Sequence, residues 1–208
     1  MMHEIKAVIL DCDGVMFDTQ KANTAYYNYI LEHFGKPPIT PEQFSFAQMH
    51  TVHSSIDYLF ASEPELIEKV HEFRKQCRYQ NFIPFMEIDP DLILMLKTIK
   101  PTYYTAIATN RTDTMEHVLH HFKLKSYFDI VVTALDVKKA KPHPDPLLKI
   151  LDHFKIKPNQ ALYVGDSELD EFASRQARVP FVAYKNPQLS ADYHIESLQD
   201  VLSILQLS

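Results

Sequence analysis

Glycine is scarce in this chain. Its 208 residues include only three, Gly14, Gly35 and Gly165, although turns could have used many more. A glycine kept under such economy marks a place where a side chain is not tolerated. Gly14 and Gly165 each adjoin an aspartate at the end of an apolar run, which draws attention to residues 11–14 and to the pair Gly165-Asp166. Cysteine is also rare. Cys12 and Cys77 form no disulfide framework and no metal-ligand spacing, and they fit reduced thiols in a cytoplasmic protein. No apolar run is long enough to cross a bilayer, and residues 1–6 lack the basic-then-apolar form of a signal peptide, so a membrane is not an expected partner. Positive charge is short too. With 21 Lys and Arg against 27 Asp and Glu, the formal net charge is -6. A nucleic-acid surface needs concentrated cations, so nucleic acid is not an expected partner either. A local basic pocket for one small phosphorylated molecule is compatible with that charge.

What is present is ordinary globular material, 46% hydrophobic and 23% charged. The length exceeds the roughly 100–150 residues of a typical compact domain without requiring two independent ones. One domain carrying an insertion is the natural reading. The run Ala7-Val8-Ile9-Leu10 is short, apolar and β-branched at its centre, as a strand buried on both faces should be. Similar runs recur at 104–108, 130–133, 161–164 and 181–183. Helical spacing lies between the later ones, at 112–122, 144–154 and 167–177. Strand then helix, repeated, predicts a parallel sheet covered on both sides.

Residues 18–87 break that rhythm. They read as helices at 23–34, 41–49, 52–60 and 64–82, punctuated by Pro37-Pro38, Pro64 and Pro84, with no convincing buried strand. The expected division is therefore a core of residues 1–17 and 88–208, with a helical insertion at 18–87.

In open parallel sheets, ligands bind beyond the carboxyl ends of the strands. Asp11 and Asp13, Thr109 and Asn110, and Asp166 and Asp170 stand at those ends, and Lys141 precedes a helix nearby. Carboxylates forced together repel, so something positive must sit among them. A hard divalent cation with oxygen ligands, usually Mg2+, meets that need, and Lys141 helps for the same reason.

Asp11-Cys12-Asp13-Gly14-Val15, Thr109-Asn110, Lys141-Pro142-His143-Pro144 and Gly165-Asp166-Ser167-Glu168-Leu169-Asp170 resemble, in order and setting, the four motifs of the haloacid dehalogenase superfamily. The nearest likeness is to its branch of phosphoglycolate phosphatase-like enzymes and β-phosphoglucomutase, and it covers essentially the whole chain. The resemblance implies a three-layer α/β/α Rossmann-like core with a small α-helical cap inserted after the first strand. It implies Asp11 as a nucleophile that forms an aspartyl-phosphate, and Asp13 as acid and base with its backbone carbonyl on the metal. Thr109 and the Asn110 amide would hold phosphoryl oxygens, and Lys141 would offset their charge. Asp11, Asp13, Asp166 and Asp170 would form the Mg2+ site, Asp170 through a metal-bound water. The implied activity is Mg2+-dependent hydrolysis of a small phosphorylated metabolite, such as phosphoglycolate or a sugar phosphate, by a monomer or homodimer. A phosphomutase, or a phosphate-binding protein that catalyses nothing, would use the same core.

Each residue has a plainer reading. Asp11 and Asp13 could satisfy turn amides, Thr109 or Asp170 could cap a helix, and Lys141 could be solvated beside Lys138 and Lys139. The four motifs together favour the chemical reading. Cys12 alternates away from its neighbouring aspartates and reads as a packed thiol. In related caps the loop after the second helix faces the catalytic centre, so the resemblance implies His50 and His53 for the non-phosphate part of the substrate. Arg111 is a further candidate for an anionic substrate group. Arg74 and Arg78 read as salt-bridged surface. Arg178 stands where relatives often end a helix with glycine.

Overall fold

The structure is a computed structural model that describes residues 4–207. At its centre lies β1 (Ala7–Leu10), whose four residues are all fully buried. Side chains alternate across a strand, and β1 shows the consequence: Val8 and Leu10 join one apolar cluster, Ala7 and Ile9 the other. Each large aliphatic side chain removed from water contributes about 1.5–3 kcal/mol, so a strand buried on both faces belongs in the middle of the sheet.

Five more strands complete a six-stranded, all-parallel sheet. They are β4 (Tyr104–Ala108), β5 (Ile130–Val132), β6 (Ala161–Gly165), β7 (Phe181–Tyr184) and β8 (Tyr193–Ile195), in the order β5-β4-β1-β6-β7-β8. α7 (Asp145–Phe154) and α8 (Glu168–Ala177) cover one face. On the other, α5 (Leu92–Ile99), α6 (Met115–His121) and α9 (Asp200–Ile204) bury Leu92, Met95, Val118 and Val201 in the cluster of Val8 and Leu10. The expected three-layer α/β/α core is present.

The strand order decides where a ligand can bind. From β1 the chain leaves to one side through β4 and β5, and to the other through β6, β7 and β8. β1 therefore stands at the topological switch point, and the carboxyl ends of β4, β1 and β6 lie side by side there.

Between β1 and β4 the chain makes its helical excursion. A two-stranded antiparallel ribbon, β2 (Phe17–Asp18) with β3 (Glu87–Ile88), carries the chain out and back. Beyond it lie α1 (Gln20–His33), α2 (Pro41–Met49), α3 (Val52–Leu59) and α4 (Pro64–Gln76). α2 starts where its residues dictate: Thr40 and Gln43 form a reciprocal capping box, and Pro41 occupies the first turn, where a missing N–H costs nothing. The periodicity over 64–82 predicts one long helix, but α4 ends at Gln76. Cys77 turns extended, and two 3-10 turns, Tyr79–Asn81 and Ile83–Phe85, replace the last stretch. Pro84 in the second turn cannot donate to a continuing α-helix. The break has a use, because it points Tyr79 inward.

Candidate active site

Asp11 follows β1 directly. Its N–H donates to the Val164 carbonyl in β6, and the residue is 6% exposed. The carboxylate sits 2.7 Å from the Nζ of Lys141, yet its Oδ1 has no hydrogen bond of good geometry and is buried. Burial raises the Asp11 carboxyl, Lys141 opposes, and Asp170 adds to the rise, with the outcome pushed up to about 7.

Lys141 is the electrostatic hub. Besides Asp11, its ammonium donates to Asp170 Oδ1 at 2.6 Å and to the Tyr163 hydroxyl at 3.1 Å. Burial alone would lower an ammonium, but Asp11 and then Asp170 outweigh it and hold Lys141 above its ordinary value. Asn110 sets the lysine in place. Its Oδ1 accepts the Lys141 N–H, and its Nδ2 donates to the Lys141 carbonyl and to that of Met49. The Asn110 side chain thus staples the Lys141 loop to the end of β4 and links both to α2.

Asp166 lies opposite, one residue past β6. Burial raises its carboxyl well above the usual range, with Asp170 and Asp11 adding to the effect. Two glycines make this approach possible. A Cβ on Gly14, whose φ is +82°, would stand 1.9 Å from Asp166 Oδ2. A Cβ on Gly165 would stand 2.4 Å from the Cβ of Asp170. Both positions exclude any side chain, which is why the scarce glycines are here.

Oxygen atoms of Asp11, Asp166 and Asp170 all fall within 4.8 Å of one another. Three carboxylates with one ammonium leave net negative charge in a buried place, and Asp11 Oδ1 lacks a hydrogen bond. That donor set suits a hard divalent cation with oxygen ligands. The expected role of Asp170 is contact through a metal-bound water rather than direct ligation. The residue is fully buried, and four donors occupy its oxygens: Lys141 and the Tyr163 hydroxyl on Oδ1, the Ser167 N–H and hydroxyl on Oδ2. Its carboxylate anchors Lys141 and caps α8 together with Ser167.

Asp13 faces another partner. Arg111 donates Nε to Asp13 Oδ2 and Nη2 to Oδ1, each at 2.7 Å, a two-pronged clamp. Nη2 also donates to the Tyr79 hydroxyl, and Nη1 to Thr114. Arg111 is therefore in the site, with four of its five N–H donors given to protein groups. Tyr79 in turn donates to Asn23 of α1, so the chain Asp13–Arg111–Tyr79–Asn23 joins the end of β1 to the helical layer.

These groups line one cavity of about 420 Å³, walled by the strand ends on one side and by α1, α2 and α4 on the other. Asp11, Asp13, Thr109, Asn110, Arg111, Lys141 and Asp166 all face it, as does His50, whose ring stacks on Phe46 at 3.8 Å. His53 does not. Val52 and His53 open α3, which turns His53 outward, and its ring stacks on His71 while Nε2 lies 3.6 Å from Asp57. The expectation that His53 meets the substrate is corrected by that helix start. Sequence reasoning also missed Arg74, Tyr79 and Tyr163. Tyr163 sits mid-strand in β6 and carries no local sign that its hydroxyl serves Asp170.

The same residues can be placed among known proteins. A family model for haloacid dehalogenase-like hydrolases matches residues 8–184. A pyrophosphatase PpaX of Bacillus cereus is 30% identical over 219 residues, covering 97% of this chain and 96% of the relative. The solved structure of a HAD-superfamily hydrolase, subfamily IA, variant 1, from Geobacter sulfurreducens is 41% identical, with a TM-score of 0.80 and coverage of 97% and 96%. A predicted phosphoglycolate phosphatase from Haemophilus somnus shares the fold at 21% identity, with a TM-score of 0.82 and coverage of 98% and 99%. The chain belongs to the haloacid dehalogenase-like hydrolases, in their subfamily IA phosphatase branch.

Proposed function

We propose that this phosphatase hydrolyses a small organic phosphate in two covalent steps on Asp11, with Mg2+ bound beside it. The observation that carries the reading is the buried Asp11 carboxylate, set at the switch point 2.7 Å from Lys141 and facing the cavity with Thr109, Asn110 and Asp166. Asp11 and Asp166, with the Asp13 backbone, would hold the cation, which supplies positive charge to the phosphoryl oxygens. In the first step an Asp11 oxygen forms a bond to phosphorus as the ester P–O bond breaks. In the second, water attacks phosphorus and returns Asp11 as a carboxylate. Lys141 balances charge on the phosphoryl oxygens throughout, and Thr109 donates its hydroxyl to one of them.

The leaving oxygen needs a proton, and the attacking water must lose one. Asp13, two residues from the nucleophile, would carry both transfers. Its carboxylate must then leave the Arg111 clamp when substrate enters. Because Arg111 also holds Tyr79, that release is tied to movement of the helical layer. Residues 18–87 would thus work as a cap that opens for substrate and closes to exclude water. His50 is the cap residue proposed to meet the substrate. The same core is compatible with a phosphomutase, but no residue in the cavity favours that reading over hydrolysis.

The test is Asp11→Asn, assayed on p-nitrophenyl phosphate with Mg2+. The expected loss is at least ~1,000-fold in kcat, about 4 kcal/mol of barrier, with an unchanged circular-dichroism spectrum. Retained turnover would overturn the mechanism.

A further inference from the structure

Among the described residues, no carboxylate forms an ion pair with Arg74 of the helical layer. Arg74 lies in α4 and forms part of the cavity wall. Its Nε is buried with no hydrogen-bond partner. Among the described residues, the arginines paired with carboxylates are Arg111 with Asp13 and Arg175 with Glu171. Arg74 also borders an outer groove lined by Asp57, Glu68 and Glu72, where Asp57 is turned to His71 and His53, Glu72 is paired with Lys75, and Glu68 forms no ion pair with Arg74. Tyr26 is a polar neighbour of Arg74 in the cavity. Burial raises its phenol, and the Arg74 charge opposes that rise. A phenol can accept a hydrogen bond from a guanidinium without cancelling its charge.

A guanidinium partly withdrawn from water and left unpaired costs free energy that an arriving anion would recover. Its planar fork matches carboxylate and phosphate oxygens in pairs. In this structure Arg111, the other arginine in the cavity, has its charge set against Asp13, whereas Arg74 has no carboxylate partner among the described residues. The same cavity is lined by the aromatic residues Tyr26, Tyr27 and Tyr79 and by the uncharged polar groups of Asn23 and Gln48. Such a lining accommodates a carbon skeleton, for which inorganic pyrophosphate has no use.

We infer that Arg74 is a specificity-determining residue. It receives a second anionic group, carboxylate or phosphate, on an organic phosphomonoester whose phosphoryl end sits at Asp11. This rests on the phosphatase reading of the Asp11 site and adds the chemical class of the substrate.

Binding tests it without turnover. Phosphonoacetate, 3-phosphonopropionate and 4-phosphonobutyrate pair a phosphonate with a carboxylate at three spacings, and none can be hydrolysed at an ester. Each is titrated by calorimetry, with Mg2+, against the alkylphosphonate of matching chain length. At least one acid is expected to bind wild type tenfold or more tightly than its match, as a charged hydrogen-bonded pair implies. Arg74→Met should bring that ratio within about twofold, and Arg74→Lys should keep part of it. Equal affinity for every acid and its match would overturn the inference, as would an Arg74→Met variant that weakens acid and match by one common factor. Faster hydrolysis of pyrophosphate than of 2-phosphoglycolate, 3-phosphoglycerate and glycerol phosphates would also contradict the class. A protein that shows the Arg74-dependent ratio but hydrolyses no ester would contradict the phosphatase reading and leave this one standing.

Discussion

Lys141 brings a positive charge to a place where it is 5% exposed, and it survives there because Asp11 and Asp170 flank it. Neither carboxylate would be stable there alone. Lys141→Met keeps the volume of the stem and removes the charge, so two buried carboxylates face each other. We expect a loss of roughly 3–5 kcal/mol in urea unfolding, together with loss of turnover. A change under 1 kcal/mol would mean that the triad is not the unit described. At this scale the motifs made Asp11, Asp13, Thr109, Lys141 and Asp166 legible, because each stands at a strand end or before a helix, in a short recognisable string. Asp170 and Arg111 were legible as positions but not as partners. The sequence offers Asp170 as a helix cap, yet nothing local says that its other oxygen holds Lys141. Arg74 read as surface, since the wall it joins is built by α1, α2 and the strand ends. Only tertiary packing brings those together.

Among the elements, α8 carries a local cost. Its C-cap Arg178 is left-handed, with φ +58°, and its side chain is exposed. A side chain in that region costs about 1–2 kcal/mol, part of which a glycine gives back in unfolded-chain entropy. Arg178→Gly should therefore stabilise the protein by roughly 0.5–1 kcal/mol in chemical unfolding, and a destabilised variant would refute this. The position was readable from sequence as a missing helix-ending glycine. β4 and α2 were also readable, their apolar runs and Pro41 fixing both ends. β8 was not, because Tyr193-His194-Ile195 has two exposed residues of three and pairs on one side only. The ribbon of β2 and β3 is two residues per strand, too short for any periodicity to show. α4 was read too long because its helical spacing continues past Gln76, and the 3-10 turns that replace it depend on Tyr79 finding Arg111 and Asn23.

For the whole molecule, the balance of buried charge makes stability depend on pH and on divalent cation together. Asp11 and Asp166 are raised, Asp11 to about 7, so without metal the folded state keeps protons that the unfolded chain has released. Stability should then fall as pH rises from about 4 towards 7. Lys141 and Asp170 act outside that window: the raised lysine loses its contribution only in strong alkali, the lowered aspartate only in acid. Mg2+ binding needs the ionised carboxylates, so its stabilisation should grow over the same range. Thermal unfolding with EDTA or Mg2+ at pH 5 and pH 8 checks this. The expected gain from Mg2+ is larger at pH 8, and an equal gain at both would contradict it. The central claim remains that Asp11 is covalently phosphorylated during turnover. Its most direct measurement is acid quench of the enzyme turning over p-nitrophenyl phosphate with Mg2+, followed by borohydride reduction and peptide mass spectrometry. The account predicts homoserine at position 11 and at no other aspartate; an unmodified Asp11 beside a reduced aspartate elsewhere would contradict it.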